Sequence, residues 1–428
     1  MTAPLRIAIA GLGTVGGGVA HLLLARGDEL SERAGRGLEL IAVSARKRMK
    51  PRTADVSALA WFDNPVALAS CGADVIVELI GGEEGPARAL VEASLRGGKH
   101  VVTANKALLA YHGAELAALA EAHNVALKFE AAAAGGIPIV KALRESLIAY
   151  GIDAVRGILN GTCNYILTEM EATGRTFDAV LAEAQRLGFA EADPALDIGG
   201  GDTAHKLALL SSLAFGVVPD LDRIKTEGIA RITPEDIGFA REFGFRIKLL
   251  GIARRTANGI DQRVQPAMVR AGTPLADVEG AFNAIVADAG AAGPFFFEGR
   301  GAGEAPTASA VIADLVDVAR GANGPAMGRP AAKLKTLSGM PPARVSAFYL
   351  RFEVLDVPGV LAEIAGRLAE SLVSIESMIQ RGRAPGEPVS IVMITHECSE
   401  THVARALKVI AASDKVLAAP CMIPMEAG

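Results

Sequence analysis

The stretch that decides the fold is "LRIAIAGLGTVGGGVAHLLLARGDEL", residues 5–30, which reads as an apolar strand, a glycine turn and a helix. The turn carries the pattern Gly11-x-Gly13-x-x-Gly16. Small residues there let the backbone approach a pyrophosphate, and the helix behind them directs unpaired N–H groups at it. The pattern follows the first strand of the chain and opens an amphipathic helix, which is the context it requires. The predicted dinucleotide contacts are Gly11, Gly13, Thr14, Val15 and Gly16.

The second strand, "LELIAVSAR" at 38–46, indicates which dinucleotide binds. In an NAD-specific fold this strand usually ends in Asp or Glu, which holds the ribose hydroxyls. Here Ser44 stands at that point, and Arg46, Lys47 and Arg48 follow it. Cations suit a 2′-phosphate, so we predict that Arg46 contacts NADP, with NAD as a second cofactor. The alternative is a solvated basic loop, because such runs are common on protein surfaces.

Two further strands, "ADVIVELIGG" at 73–82 and "HVVTANKALLA" at 100–110, continue the parallel pattern with a helix between them. Residues just past the carboxyl ends of such strands face the ligand crevice of an open α/β sheet. Thr103 and Lys106 lie at that point. Lys106 could contact a phosphate, the nicotinamide or the substrate, or it could be a solvated lysine that begins a helix.

A tight turn, Asn160-Gly161-Thr162, follows the next strand in "YGIDAVRGILNGTCNYILTEM". The turn hydroxyl and the helix N-terminus behind it could receive a carboxylate. Cys163, beside the turn, could be a nucleophile or a buried structural residue. No histidine or other base lies nearby in sequence, so the structural interpretation is favoured.

An acidic stretch, "EADPALDIGGGDTAHK" at 191–206, places four carboxylates ahead of Lys206. Asp202 and Lys206 are four residues apart, so they share one helix face. An exposed pair at this spacing is usually a weak surface ion pair. However, the helix continues as "LALLSSLAFG", which is too apolar for the surface. A polar cluster held against a core, beside a dinucleotide fold, favours a substrate with an ammonium group and a carbonyl or hydroxyl.

Residues 184–206, which include this acidic stretch, resemble a family signature. Its defined positions are Ala184, Gly188, Phe189, Ala190, Asp193, Pro194, Asp197, Ile198, Gly200, Asp202 and Lys206. They resemble the signature of homoserine dehydrogenase, and the blocks "GLGTVG", "TANK", "GGIPI", "NGTCNYIL" and "GRGAGEAPTASAVIADL" are similar to blocks of that family, in its order. The resemblance covers about residues 5–322. It implies interconversion of L-homoserine and L-aspartate 4-semialdehyde with NAD(P), in threonine and methionine biosynthesis.

The resemblance also implies roles for single residues. Lys206 matches the family's catalytic lysine, a general acid/base, and Asp202 lies beside it in the catalytic site. The implied substrate contacts are Glu191, Asp197, Asp202 and Lys106. They add to Thr162, which is predicted above from the turn. The implied cofactor contacts are Lys106, Gly188 and Gly303. They add to Arg46 and Thr103, which are predicted above from their positions after strands. The family's monovalent cation, expected to be sodium, would be held by Glu130, Ala133, Gly135 and Ile137.

A linker and a small domain end the chain. Residues 323–344 are rich in Gly, Pro and Lys, as linkers are. The pattern after them reads strand, helix, strand, strand, helix, strand (βαββαβ). The turn Asp356-x-Pro358-Gly359-Val360-Leu361 resembles that of the ACT regulatory domain, whose members bind amino acids at the strand–helix junction. The resemblance implies a threonine effector, and the alternative is a structural dimerisation module.

At 428 residues the chain exceeds one core, so two or three domains are expected. With the two resemblances, the predicted fold class is α/β with three domains. A Rossmann-type nucleotide-binding domain takes residues 1–137 and 303–322. An α+β catalytic and dimerisation domain takes 138–302. The linker is 323–344, and a βαββαβ ACT domain takes 345–428. We expect a homodimer or a homotetramer.

Composition argues against several classes of protein. The formal net charge of −5 argues against nucleic acid as the main partner. No signal peptide and no long apolar run are visible, so we expect no membrane association. The four cysteines are scattered and form no CxxC pair, which fits a reducing compartment, the cytoplasm.

Two other functions would explain parts of the sequence. One is a non-catalytic sensor that couples a nucleotide-binding domain to an amino-acid-binding tail, and the intact acidic signature with Lys206 argues against it. The other is an aldehyde-oxidising semialdehyde dehydrogenase. That chemistry needs a cysteine activated by a base, and Cys163 has no visible base.

Overall fold

Two large sheets organise the chain, of which the computed structural model describes residues 3–257, 259–338, 343–381 and 386–426. The strands are β1 Leu5–Ala10, β2 Leu38–Ser44, β3 Ala60–Phe62, β4 Val75–Glu78, β5 His100–Thr103, β6 Leu127–Lys128, β7 Ala154–Ile158, β8 Lys225–Thr226, β9 Phe245–Thr256, β10 Gly259–Arg270, β11 Phe282–Asp288, β12 Pro294–Arg300, β13 Val345–Ser346, β14 Phe348–Leu355, β15 Ile375–Gln380, β16 Pro388–Thr395, β17 Cys398–Ser399 and β18 Cys421–Glu426.

Thirteen α-helices lie in the described part of the chain. They are α1 Thr14–Ala25, α2 Gly27–Ala34, α3 Pro86–Arg96, α4 Lys106–Ala122, α5 Ile139–Lys141, α6 Gly161–Thr173, α7 Phe177–Leu187, α8 Ala195–Ile198, α9 Gly201–Phe215, α10 Pro234–Glu242, α11 Glu304–Ala319, α12 Val360–Glu370 and α13 Glu400–Ile410.

The first sheet has the strand order β3-β2-β1-β4-β5-β6, and its strand pairs are parallel. This is the order of a Rossmann fold, in which the glycine turn follows the central strand. Ile7, Ala8 and Ile9 of β1 have no exposed surface. A strand with both faces covered reads as an apolar run, and this is why residues 7–10 show no polar alternation, whereas Arg6 is exposed and pairs with Asp74. The predicted Rossmann-type domain is confirmed.

Helix α11 returns from the catalytic segment and packs against α1. A Cβ on Gly18 of α1 would lie 2.7 Å from the Glu304 Cγ of α11, so the close crossing depends on that glycine. Ala308, Val311 and Leu315 join the apolar core around β1 and β2. The segment after residue 303 therefore completes the nucleotide-binding core, although the exact domain limits stay predictions.

The second sheet runs β12-β11-β7-β9-β10-β18-β14-β16-β15, with β8 paired to β10. Its first five strands belong to the catalytic part and the last four to the C-terminal part. The two parts join where β10 pairs in parallel with β18, through Met268–Met425 and Val269–Glu426. A single sheet thus passes from the catalytic domain into the C-terminal domain.

The C-terminal domain has the predicted βαββαβ order, built from β14, α12, β15, β16, α13 and β18. Its four strands pair antiparallel, as β14 with β16 and β18 and β15 with β16. Phe348, Leu350 and Phe352 of β14 face helices α12 and α13 in one apolar core. The prediction of an ACT fold is confirmed.

Several predicted elements have different limits in the structure. The predicted strand at 100–110 ends at Thr103, and α4 begins at Lys106, because Asn105 caps a helix there by accepting from Leu108 N. The predicted loop after Gly188 contains the short helix α8. The last strand lies at Cys421–Glu426, later than the predicted one.

All four predicted segments fall partly outside the described residues, at 1–2 of the nucleotide-binding domain, 258 of the catalytic domain, 339–342 of the linker, and 382–385 and 427–428 of the ACT domain. Among the helices that the structure describes, none combines the length and apolar content that crossing a bilayer requires.

Candidate active site

The acidic stretch and the turn after β7 meet in one site. The turn lies at the end of β7, and α9 begins opposite it at Gly201. Asp202 and Lys206 lie one helical turn apart on the face of α9 that the turn covers. Helix α9 is buried along nearly its whole length, so this pair is not a surface ion pair.

The Lys206 ammonium has a fixed position. Its Nζ donates to Asp202 Oδ2 at 2.8 Å and to the main-chain oxygen of Leu159 at 2.6 Å. Lys206 is 8 % exposed and Asp202 is 6 % exposed. An ammonium has three N–H donors, so two are used within the protein and one is left for a ligand.

Lys106 reaches the same carboxylate from the nucleotide-binding domain. Its Nζ lies 3.2 Å from Asp202 Oδ1, and its side chain is about one-third exposed. Lys106 is the first residue of α4, at the carboxyl edge of the parallel sheet. The sequence left open whether Lys106 contacts a ligand or is only solvated. In the structure it lies between the nucleotide-binding fold and the acidic cluster, against Asp202.

The two carboxylates of the cluster have opposite electrostatic environments. Burial alone would raise the pKa of Asp202, but the charges of Lys206 and Lys106 outweigh it and hold that pKa well below its ordinary value. Burial, and then the charge of Asp202, raise the pKa of Asp197. Asp202 is therefore the permanent anion of the site, whereas Asp197 holds a proton more readily.

The turn residues contact both carboxylates. The Asn160 Nδ2 donates to Asp197 Oδ1 at 2.8 Å and to Asp202 Oδ2 at 2.9 Å. The Thr162 hydroxyl donates to the main-chain oxygen of Phe189 at 2.8 Å and lies 3.4 Å from Asp197 Oδ2. The turn therefore joins the acidic loop to α6.

Cys163 has the environment of a structural residue. Its Sγ donates to the main-chain oxygen of Asp197 at 3.2 Å. Burial, and then the charges of Asp197 and Asp202, raise the pKa of this thiol well above its ordinary value. A thiol that stays protonated is a poor nucleophile.

Glu191 lies at the rim of the site rather than in the buried cluster. The residue is exposed, and its main-chain oxygen accepts from Gln185 Nε2 at 3.1 Å. Gly188, which ends α7 with a φ of +80°, lies just before it. The Glu191 side chain is thus accessible to solvent.

The glycine turn has the geometry of a pyrophosphate site. Gly11 has a φ of +98°, and a Cβ there would lie 2.4 Å from the Leu79 oxygen. A Cβ on Gly16 would lie 1.8 Å from the Gly11 oxygen, whereas one on Gly13 would meet nothing within 4 Å. The outer glycines are thus required by packing, and Gly13 faces open space. The N-terminus of α1, with Thr14 and Val15, points into that space.

A cavity of about 1080 Å³ opens beside the glycine turn. Its lining includes Gly11, Gly13, Ser44, Arg46, Lys47, Arg48 and Arg52. The basic run after β2 therefore borders the cavity rather than open surface alone.

Arg52 and Trp61 organise that basic run. Arg52 donates to the main-chain oxygens of Lys47, Arg48 and Lys50. The guanidinium groups of Arg48 and Arg52 lie 5.7 and 5.3 Å from the ring centroid of Trp61, within cation–π range.

Thr103 ends β5, and Gly303 precedes α11. The Thr103 hydroxyl donates to Glu78 Oε2 at 2.6 Å and is fully buried, so it is used within the protein. Gly303 precedes α11 with a φ of +115°, in the loop that packs on Gly135 and Gly136.

The loop of the expected cation site is buried and rich in oxygen. The Glu130 carboxylate accepts from Val140 N and Lys141 N, both at 2.9 Å. Ala133, Gly135 and Ile137 are buried beside it. Within the described part of the chain, the main-chain oxygens of Ala133 and Gly135 accept no hydrogen bond. Oxygen donors of this kind fit a hard cation.

Family comparisons agree with this geometry. The homoserine dehydrogenase model matches residues 138–316, and the model of the homoserine dehydrogenase NAD-binding domain matches residues 11–130. The ACT domain model matches residues 348–414.

The chain belongs to the homoserine dehydrogenase family. It is 44 % identical to the homoserine dehydrogenase of Neisseria gonorrhoeae over 431 residues, 99 % of each chain. It is also 44 % identical to that of Pseudomonas aeruginosa over 428 residues, 96 % of each. The solved homoserine dehydrogenase of Thiobacillus denitrificans matches with a TM-score of 0.91 and 45 % identity, over 99 % of this chain and 98 % of that one.

A hyperthermophilic archaeal homoserine dehydrogenase, solved in complex with NADPH, matches with a TM-score of 0.63 and 26 % identity over 73 % of this chain and 97 % of that one. Membership in the homoserine dehydrogenase family makes this protein an oxidoreductase that acts on the hydroxyl group of homoserine with a nicotinamide dinucleotide. The predicted activity and enzyme class are confirmed.

Sequence reasoning missed three groups of this homoserine dehydrogenase site. The Leu159 oxygen acts through the main chain, for which no residue type gives a signal. Asn283 Nδ2 donates to that oxygen at 2.9 Å from a position 124 residues away. Asn160 carried a detectable signal, because an Asn between a buried strand and a helix is a strong N-cap, yet only its turn was noted.

Proposed function

We propose that Lys206 is the general acid/base of the reaction. When bound in the cleft, the nicotinamide supplies or accepts the hydride. Hydride addition to the aldehyde carbon builds negative charge on the carbonyl oxygen, and an acid must neutralise it. The observation that carries this proposal is the Lys206 ammonium, held by Asp202 and the Leu159 oxygen with one N–H left for a ligand.

Asp202 and Lys106 complete the arrangement in this proposal. Asp202 orients the Lys206 ammonium and offsets the charges of the two lysines. Lys106, about one-third exposed at the mouth of the cleft, contacts both substrate and cofactor. Asp197 and Thr162 border the substrate, and Glu191 at the rim receives its ammonium group.

Replacement of Lys206 by Ala tests the proposal. We expect kcat to fall by roughly 10²-fold or more with a smaller change in KM, because a proton donor acts mainly in the transition state. The matched control is Lys248→Met, which removes another buried lysine whose Nζ bonds Val278 O and Asn164 Oδ1. A Lys206→Ala enzyme with turnover near that of the wild type would remove Lys206 from this role.

NADP is the cofactor that we propose for this chain, with NAD as a weaker second. Support comes from the cavity beside the glycine turn, whose rim carries Arg46, Lys47 and Arg48 and no acidic residue at the end of β2. In this proposal Gly188, Gly303 and Thr103 would contact the nicotinamide half of the cofactor.

A sodium ion is proposed for the loop of Glu130, Ala133, Gly135 and Ile137. Burial, and then the neighbouring Asp314, raise the pKa of Glu130 to about 7, and a bound cation would offset that cost of burying charge.

The melting temperature should be higher in sodium chloride than in choline chloride. Glu130→Gln should abolish that difference.

Three further properties are proposed for the whole protein. Threonine acts as the effector at the turn after β14, where Asp356, Pro358 and Gly359 border a cavity of about 280 Å³. The chain assembles as a homodimer or homotetramer, supported by the exposed Phe295 and Phe296 on the edge strand β12. It works in the cytoplasm, where its free cysteines stay reduced.

A further inference from the structure

Asn160 uses both ends of its side-chain amide inside the site. Its Oδ1 accepts from Cys163 N at 2.8 Å and so caps α6. Its Nδ2 donates one hydrogen bond to Asp197 and one to Asp202. Asn160 is 4 % exposed, so water does not compete for these bonds.

The cap fixes which end of the amide faces the carboxylates. An Asn at an N-cap must present oxygen to the helix, because the first turn of a helix offers only N–H donors. The nitrogen is then left to face Asp197 and Asp202. The reversed amide would place an oxygen against two carboxylates and an N–H₂ group against a backbone N–H, which loses three hydrogen bonds.

The two oxygens of Asp202 are divided among three donors. Its Oδ2 accepts from Asn160 Nδ2 and Lys206 Nζ, and its Oδ1 faces Lys106. The residue before Asn160, Leu159, supplies the main-chain oxygen that holds Lys206. Two consecutive residues of one turn therefore fix both members of the Asp202–Lys206 pair.

We propose that Asn160 is a positioning residue for proton transfer, which bridges Asp197 and Asp202 so that Asp202 stays aligned with Lys206. The proposal rests on the proposed role of Lys206 as the proton donor. Asn160 does not touch the reacting atoms, and it acts through the carboxylate that orients the ammonium. Because buried polar networks lose alignment when one donor is removed, its loss lowers kcat.

The bridge also separates two like charges. The groups that face Asp197 are Asp202 and Lys206 from α9, Lys106 from α4, and the Cys163 thiol of α6. Without the shared amide, repulsion between the two carboxylates favours a protonated Asp197 or draws Asp202 away from Lys206. Either change shifts the pH dependence of the reaction, which a purely structural cap would not do.

Three substitutions at Asn160 separate the bridge from the cap. Asn160→Ser keeps an acceptor for the cap but replaces the two amide N–H donors with one hydroxyl on a shorter side chain, which cannot bridge two carboxylates. Asn160→Ala loses the cap as well. Asn160→Asp keeps the acceptor but puts a third carboxylate in the cluster. The measurements are kcat, KM for homoserine, the pH profile of kcat/KM, and the melting temperature of each full-length variant.

We expect Asn160→Ser and Asn160→Ala to lose kcat equally, by roughly 10- to 100-fold, as misplaced catalytic groups do. We expect only Asn160→Ala to lose appreciable stability, and the acidic limb of the pH profile to move to higher pH in both. Asn160→Asp should lose more kcat than either. A Ser variant with the kcat and pH profile of the wild type overturns the proposal, as does a loss of kcat confined to the Ala variant.

The Lys206→Ala enzyme separates this proposal from the one on which it rests. If Lys206→Ala is inactive while Asn160→Ser matches the wild type, only the role of Asn160 fails. If Lys206→Ala retains turnover, the proton-donor role fails and the role of Asn160 fails with it.

Discussion

At the scale of single residues, the site divides into a buried part and an exposed rim. Asp202 binds two lysines from two domains, and its low pKa keeps it charged at any working pH. Glu191 is exposed and free to meet a substrate that enters from solvent. In our proposal the buried part handles the proton and the rim recognises the substrate, so substitutions in the two parts should have different kinetic effects.

Glu191→Gln should raise KM for homoserine more than it lowers kcat, because it removes a charge opposite the substrate's ammonium group. Steady-state kinetics with homoserine at saturating NADP measures both. The matched control is Asp193→Asn, since Asp193 is an exposed neighbour whose Oδ1 accepts from Ala195 N. Equal KM values for wild type and Glu191→Gln would show that Glu191 does not bind the ammonium.

Arg46→Ala should raise KM for NADP by roughly tenfold or more, because a charge-assisted bond to phosphate contributes about 1.5–3 kcal/mol. KM for NAD should stay nearly constant, since NAD lacks the 2′-phosphate. The single tryptophan, Trp61, stacks with the same loop, so quenching of its fluorescence measures cofactor binding directly.

Arg26→Ala is the control for this cofactor test, since Arg26 is an exposed cation of the same domain that pairs with Glu29. High ionic strength should reduce the preference of the wild type for NADP, because the basic loop borders solvent. Equal efficiency of the wild type with NAD and NADP would make the basic run a surface loop.

At the scale of secondary-structure elements, a buried lysine ties β9 to the loop before β11. Lys248 Nζ donates to Val278 O at 2.6 Å and to Asn164 Oδ1 at 3.3 Å. Asn164 on α6 donates to Val278 O and Gly280 O. Three elements thus share one buried polar junction.

The stability of this junction should depend on alkaline pH. Burial lowers the pKa of Lys248 from its ordinary 10.5 to about 8, so the unfolded chain binds more protons than the folded chain between these values. Stability therefore rises with pH through that window. The free energy of unfolding of the wild type, relative to Lys248→Met, should increase by at most about 3 kcal/mol from pH 8 to 10.5.

Denaturant unfolding of both proteins at several pH values measures this difference. Other alkaline transitions affect both proteins alike and cancel in the comparison. Parallel curves for the wild type and Lys248→Met would mean that Lys248 titrates normally.

At the scale of the whole molecule, the ACT domain is bound to the catalytic domain by a shared sheet and a buried ionic network. Asp236, at the start of α10, has no exposed surface and accepts from Tyr349 Oη at 3.0 Å and Arg351 Nε at 2.6 Å. A second contact pairs Glu400 of α13 with Lys225 and Arg263. The two domains should therefore unfold together.

Asp236→Ala should lower the free energy of unfolding by about 3–5 kcal/mol, because it removes the carboxylate that accepts two hydrogen bonds from the half-buried Arg351 guanidinium and leaves Glu235, at 3.8 Å, as a distant partner. The control is Glu242→Ala, which breaks the exposed pair with Arg381 at the same interface and should cost at most about 1 kcal/mol. Calorimetry should show one transition for the wild type. Equal losses in the two variants would contradict a buried network at this interface.

The sequence alone determined the elements and the chemistry that short segments encode. The Gly11–Gly16 turn was readable because only glycine tolerates the backbone approach and positive φ found there. The buried Asp202–Lys206 pair was readable because helical spacing and an apolar continuation are local properties. The βαββαβ order of the ACT domain followed from strand and helix periodicity in the same way.

Only the tertiary structure decided how these segments meet. Lys106 lies against Asp202 because α4 and α9 belong to domains that face each other across a cleft. The Leu159 oxygen and Asn283 join the site through the pairing of β7 with β11, and the ACT sheet joins the catalytic sheet through β10 and β18. Such contacts depend on strand register and domain placement over about a hundred residues or more, and no local pattern of side chains specifies either.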